Sequence, residues 1–432
     1  MDKLVVRGGR RLSGSVRING SKNAALPIMA ATILGEGPSI IENVPRLRDV
    51  RTMLDILADL GVRGEHRDDG SICLEPVDTA PAKADYKKVS TMRGSICVLG
   101  PLLAKRHKAI VSQPGGCVIG VRPIDLHIKG LRELGAEIRV DSGYVVAEAE
   151  RLVGNEIYLG GAFGSSVLAT ANVMTAATLA EGRTVIDCAA CEPEIANLAS
   201  FLNGMGARIT GAGSPTITID GVERLGGGRS RLLPDRIEAG TFMMAAAATA
   251  GDVIIENAEP AHLGAVIHTL RQVGVTVEKT NGALHVSGAP PFRSTDLTAL
   301  PYPGMPTDLQ AQMMALLTLA DGISVVTEKV FPDRFMHVAE LNRMGAGVRK
   351  EGSSAIIRGV GRLSGSHVMA SDLRASAALV IAGLVAEGET QIHRVYHIDR
   401  GYERIEERLN RLGADIRRAE DKDETQAASY RL

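Results

Sequence analysis

The chain has 432 residues, 45% of them hydrophobic and 23% charged, with a formal net charge of −1. That length suggests two or three domains, and near-neutrality argues against nucleic-acid or acidic-membrane partners held by bulk electrostatics. An anionic ligand must therefore be gripped by local groups of Arg and Lys.

The start, Met1 to Val6, has neither the basic opening nor the long apolar run of a signal peptide. The longest apolar stretches, such as Ala375 to Val385, are too short to span a bilayer. Cys73, Cys97, Cys117, Cys188 and Cys191 are too few and too unevenly spaced for a disulfide framework. These features read as a reduced, cytoplasmic protein.

An internal repeat decides the fold. A hydrophobic residue, a glycine and a small apolar residue recur after helical patterns, with glycines at Gly61, Gly135, Gly206, Gly274, Gly345 and Gly413. They lie roughly seventy residues apart, the size of a small α/β subdomain. Each copy also contains a helix of small and aliphatic residues, beginning near Lys22, Arg93, Ser166, Asp235, Asp308 and Asp372. Helices apolar nearly all round belong in a core. A glycine stop and a β-branched strand follow most of them, as at Gly182 to Ile186 and Gly322 to Val326. Six units of strand, helix, strand, helix and further strands predict an α/β protein of two domains, three units in each.

Several buried helices open with a capping residue and a charge: Ser21-Lys22, Thr307-Asp308 and Ser371-Asp372. Free N–H groups and the positive dipole end at such termini suit phosphate or carboxylate, although any one of these charges could simply cap its helix. The most informative stretch runs from Gln113 to Ile128, where Pro114, Gly115 and Gly116 precede Cys117 and Arg122 follows. A thiol on an exposed, glycine-flanked loop beside a cation has a lowered pKa, suited to proton transfer or nucleophilic work.

Other candidates read as structure. Cys188 and Cys191 have C-x-x-C spacing, but no second Cys or His pair accompanies them as a zinc site requires. Cys73 and Cys97 read as small buried hydrophobes, and His127, His337 and His397 as structural groups or supports of site residues rather than catalysts.

Seven segments, in order, carry a family resemblance. They are Ser21 to Pro27 (SKNAALP), Pro114 to Gly120 (PGGCVIG) with Arg122 to His127 (RPIDLH), Leu233 to Thr241 (LPDRIEAGT), Pro306 to Gln312 (PTDLQAQ), Arg334 to His337 (RFMH), Ser371 to Ser376 (SDLRAS) and Asp399 to Glu403 (DRGYE). In these the chain resembles the UDP-N-acetylglucosamine 1-carboxyvinyltransferases of the EPSP synthase superfamily over nearly its whole length. The resemblance implies two inside-out α/β-barrel domains, each of three βαβαββ-like units, with the active site in the interdomain cleft. Residues 22–233 would form the sugar-nucleotide domain carrying the Cys117 loop. Residues 1–21 with 234–419 would form the second, carrying Asp308 and Arg400, and 420–432 a flexible polar tail.

It also implies the chemistry. Enolpyruvyl would pass from phosphoenolpyruvate to UDP-N-acetylglucosamine with no metal or organic cofactor. Lys22, Asn23, Arg122, Arg334, Arg374 and Arg400 match positions that hold phosphoenolpyruvate; the planar guanidinium fork suits oxyanions. Cys117 matches the proton donor to the methylene carbon, and Asp308 the group that binds and deprotonates the sugar 3′-hydroxyl. Lys22 and Arg400 belong to the catalytic set. Sugar-nucleotide contacts carry over to Asn23, Arg93, Arg122, Pro123, Ile124, Asp125, Leu126, Gly164, Ser165, Ser166, Val167, Asp308 and Val330. The chain departs from its relatives at Leu168, Gly164 and Cys191, where they often carry Gly or a basic residue.

Overall fold

The computed structural model describes residues 2–67, 69–115, 123–280 and 282–421. They fall into two compact units. One takes the first eighteen residues and the chain from Pro234 onward; the other lies between Asn19 and Leu233.

The six recurring glycines explain the repeat. Each follows an outer helix, where the chain must turn sharply into a strand. Gly61, Gly135, Gly206, Gly274, Gly345 and Gly413 all take left-handed φ values, between +74° and +109°. Glycine adopts that conformation without a Cβ penalty, which is why it ends helices so often.

Among the described residues the strands form six four-stranded sheets and one two-stranded pair. The sheets share one plan. In Lys108–Ser112, for example, one edge pairs parallel with Lys83–Ala84 and the other antiparallel with Tyr144–Glu148, which then pairs Glu137–Asp141. The parallel edge strand precedes the buried helix and the three antiparallel strands follow it, the βαβαββ order of the repeat. Two copies are completed by distant chain. Arg229–Arg231 supplies the parallel edge beside Ser39–Glu42. Asp2–Arg7 lies between Glu389–His393 and Asp415–Glu420.

The helices rich in small residues sit inside. Every residue of Arg236–Ala248 is buried, and it packs with Thr307–Leu317 and Leu373–Val385 at the heart of one unit. Close approach is needed there: a Cβ on Gly240 would lie 2.4 Å from Leu309 Cδ1. Lys22–Ala31, Leu99–Arg106 and Val167–Ala177 form the core helices of the other unit. Burying uniformly apolar helices and leaving the sheets outside is what an inside-out α/β arrangement means.

Two details differ from the sequence reading. The helix expected from Arg93 opens as a 3₁₀ segment, Arg93–Val98, before Leu99–Arg106. The cause is Asn172, whose Nδ2 donates to Ile96 O at 3.0 Å and whose Oδ1 accepts Gly100 N–H at 2.7 Å. Those backbone groups would pair with each other in a continuous α-helix, so the side-chain amide splits the helix. The chain end also holds more structure than a tail beginning at 420. Glu420 completes the last strand, and buried Asp421 accepts His393 Nδ1 at 2.5 Å.

Candidate active site

Asp308 sits in the first turn of Thr307–Leu317, half-buried. Two guanidiniums meet its carboxylate. Arg334 Nη1 donates to Oδ1 at 2.8 Å, and Arg374 Nη2 donates to Oδ2 at 2.9 Å. Arg374 starts its own core helix, capped by Asp372, whose Oδ1 accepts the Arg374 and Ala375 N–H groups. Burial disfavours charge on both guanidiniums, but the carboxylates of Asp308 and, for Arg334, Asp372 outweigh it and raise both pKa values. The Arg374 guanidinium also lies over the Tyr402 ring, 5.5 Å from its centroid. Tyr402 Oη is 2.8 Å from Thr241 Oγ1 and accepts Gln312 Nε2 at 3.3 Å.

The sequence brought Asp308, Arg334 and Arg374 to attention, and the fold joins them. Arg400 is buried and ends the 3₁₀ segment Val395–Arg400. The preceding Asp399 is clamped by Arg418 through bonds of 2.7 and 3.0 Å, and Arg418 also reaches Glu406 at 2.8 Å. Val330 gives its N–H to Glu328 Oε1.

In the other unit, Lys22 opens the core helix Lys22–Ala31, with Ser21 as its cap. Its Nζ lies 3.2 Å from Asp49 Oδ2, and both residues are buried. Asn23 follows on the same helix. Arg93 donates from Nη2 to Pro123 O at 3.0 Å, joining two candidate nucleotide contacts. Ile124 caps the helix Asp125–Glu133, which carries exposed Asp125 and half-buried Leu126. Gly164, at φ +88°, exchanges backbone hydrogen bonds with Gly161. Ser165 is half-buried, and Ser166 caps the helix Val167–Ala177 by accepting Ala169 N–H at 3.3 Å. Cys117 and Arg122 lie outside the described residues.

Asp49 and Arg418 were passed over in the sequence, and Thr307, Asp372 and Tyr402 lay in quoted segments without being assigned to the site. Asp49, Thr307, Asp372, Tyr402 and Arg418 each hold a candidate site residue directly or through its neighbour. The one signal available for Asp49 was its spacing, four residues before Met53 and seven before Ile56, an acid on the face of its helix whose other members are apolar. Two of the three singled-out histidines are buried: His127 Nδ1 lies 2.9 Å from Asn172 Nδ2, and burial, with Arg93 nearby, pushes its pKa down to about 3. His337 packs against Met314 Sδ at 3.2 Å, and burial lowers its pKa to about 4. Among the described residues no group of three or more His, Cys, Asp or Glu is placed to hold a metal. None of their helices is long and apolar enough to cross a membrane.

Residues 6–422 match the model of the EPSP synthase (3-phosphoshikimate 1-carboxyvinyltransferase) family. The chain belongs to that family. Among its EPSP synthase family relatives, the UDP-N-acetylglucosamine 1-carboxyvinyltransferase of Desulforapulum autotrophicum is 54% identical over 97% of this chain and 100% of its own length. The enzyme of the same name from Coxiella burnetii is 53% identical over 97% of this chain and 96% of its own. The fold is that of solved family structures. The enolpyruvyl transferase NikO from Streptomyces tendae superposes with a TM-score of 0.88, at 24% identity, over 97% of this chain and 99% of that one. EPSP synthase from Acinetobacter baumannii gives 0.74 at 22% identity, over 97% and 100%.

Proposed function

We propose that this chain transfers the enolpyruvyl group of phosphoenolpyruvate to the 3′-hydroxyl of UDP-N-acetylglucosamine, releasing phosphate, the first committed step of peptidoglycan synthesis. One observation carries the reading: identity above half along essentially the whole chain to relatives named for that reaction. The two substrates are its small-molecule partners, and the reaction runs in the cytoplasm.

The residues support an addition followed by an elimination. Cys117 gives its proton to the methylene carbon of phosphoenolpyruvate while the sugar hydroxyl oxygen bonds to the adjacent carbon. Asp308 takes the hydroxyl proton. A carboxylate has about four acceptor sites, more than two guanidinium bonds use, so it can also receive that hydroxyl. Arg334 and Arg374 hold Asp308 in one orientation, the kind of positioning a general base needs. Lys22, Asn23, Arg122 and Arg400 neutralise and orient the phosphate and carboxylate of phosphoenolpyruvate. In the second step the C–O bond to phosphate breaks, the Cys117 thiolate takes a proton from the new methyl group as the double bond is restored, and the proton held by Asp308 leaves with the phosphate.

The test is phosphate release from phosphoenolpyruvate with UDP-N-acetylglucosamine, UMP or shikimate 3-phosphate offered in turn. Release with the first alone is expected. Release only with UMP would assign the chain to a different uridine nucleotide, and release only with shikimate 3-phosphate to the sibling reaction.

A further inference from the structure

We infer that Glu328, the last residue of the strand Ile323–Glu328, is a positioning residue for Asp308, acting through the Thr307 hydroxyl and Arg334. The inference rests on reading Asp308 as the base, and adds a residue that the family resemblance did not single out.

Glu328 is fully buried, and each of its carboxylate oxygens has defined work. Oε1 accepts the N–H groups of Val330 at 2.7 Å and Phe331 at 3.0 Å. Oε2 accepts the Thr307 hydroxyl at 2.8 Å. A hydroxyl has a single proton, and Thr307 gives it to Glu328, so a lone pair of Oγ1 is what meets Arg334 Nη1 at 3.0 Å. The same Nη1 carries a second hydrogen, and this is the one donated to Asp308 Oδ1.

The other end of Arg334 leads back to the same carboxylate. Arg334 leaves a turn in which its N–H donates to Phe331 O at 2.9 Å, and its guanidinium lies over the Phe331 ring, 5.9 Å from the centroid. Oε1 fixes that turn by holding the Val330 and Phe331 N–H groups. Glu328 thus sets both where Arg334 starts and the hydroxyl on which it docks. A carboxylate that only closed the turn would need one oxygen. The second, bonded to Thr307, links the turn to the residue preceding Asp308. Val330, a candidate nucleotide contact, hangs from the same group, so Glu328 ties that contact to the base.

Glutamine at 328 has the same shape but one acceptor oxygen and one donor nitrogen. If its oxygen keeps the two N–H groups, its nitrogen faces Thr307 and can only donate, which turns the hydroxyl proton away and takes up a lone pair of Oγ1. The experiment compares E328Q, T307V, T307S and the double variant E328Q/T307V by kcat and by equilibrium binding of UDP-N-acetylglucosamine. T307V should lower kcat about tenfold to a hundredfold, the scale of a small misplacement of a reacting group, with binding within about threefold of wild type. T307S restores the hydroxyl and should recover kcat to within about threefold. The double variant should be no slower than the worse single variant within about twofold, because both changes break one relay. Wild-type kcat in T307V, a T307S as slow as T307V, or losses that multiply in the double variant would each overturn the inference. If E328Q does not fold, the two Thr307 variants decide. If the wild type releases no phosphate with UDP-N-acetylglucosamine, the functional reading has failed instead. The relay is then judged by a crystal structure of T307V, in which Arg334 Nη1 should part from Asp308 Oδ1; an unmoved pair would overturn it.

Discussion

Arg374 donates to Asp308 across 2.9 Å from the start of a different core helix, so the proposed base is tied to two elements of its unit at once. Asp308→Asn keeps the size of the side chain and removes its charge. Turnover should fall about a hundredfold to ten-thousandfold, the usual contribution of a general base, while UDP-N-acetylglucosamine still binds. Asp308→Ala should also lower stability by about 3 kcal/mol, because it leaves two buried guanidiniums facing each other. Steady-state kinetics and urea unfolding check the pair, and an active Asp308→Asn would remove Asp308 from the mechanism.

Lys22 is buried against Asp49, which makes Asp49 part of how the ammonium is held. Asp49→Asn should raise the KM for phosphoenolpyruvate about tenfold, the scale of one lost charge-assisted contact, and change kcat less. Titration of the initial rate against phosphoenolpyruvate gives the answer. An unchanged KM would mean that Lys22 holds its position without this partner.

His127 makes the stability of its unit sensitive to acid. Burial lowers its pKa from an ordinary 6.5 to about 3, so between those values the unfolded chain binds a proton that the folded chain refuses. Its contribution is fully present above pH 6.5 and is lost as pH falls towards 3. Between pH 7 and pH 5 the loss is about 2 kcal/mol. His337 acts in the same direction in the other unit. His127→Leu should flatten the decline in urea midpoint by about that amount relative to its own value at pH 7; an unaltered slope would show that His127 does not control it.

Cys117 should be the thiol that reacts with fosfomycin, an epoxide phosphonate that mimics phosphoenolpyruvate. Two of the other thiols are poorly placed to compete: burial pushes Cys97 up to about 12, and burial with the neighbouring Glu192 and Cys188 raises Cys191. Peptide mass analysis should find one inhibitor on the Cys117 peptide and none elsewhere. Cys117→Asp should stay active, since a carboxylic acid still donates a proton, and escape the label. Labelling chiefly at Cys188 or Cys191 would contradict the assignment.

The six units were legible because the signals lie within a few residues of one another. A glycine after each outer helix reports a left-handed turn, and apolar runs such as Phe242 to Ala248 report a buried helix. Asp308 stood out as a charge at the mouth of an apolar helix, and Arg374 came to notice through the family resemblance. Glu328 did not, because it ends an alternating strand and looks like any rim carboxylate until Thr307 is brought beside it. Asn172 was equally silent, since nothing local says that a helix elsewhere will need its amide. Long-range partners of this kind are fixed by packing, and periodicity carries no trace of them.

The place of Asp2–Arg7 between Glu389–His393 and Asp415–Glu420 has a consequence for biosynthesis. That strand is made long before either of its sheet neighbours. The unit between Asn19 and Leu233 can close as soon as Leu233 emerges, with its Arg229–Arg231 edge already in hand. The strand Asp2–Arg7 must wait, its ladder groups in water, until Asp415–Glu420 has been made. The unit between Asn19 and Leu233 can therefore close before the other, which is complete only when Asp2–Arg7 meets its two partners.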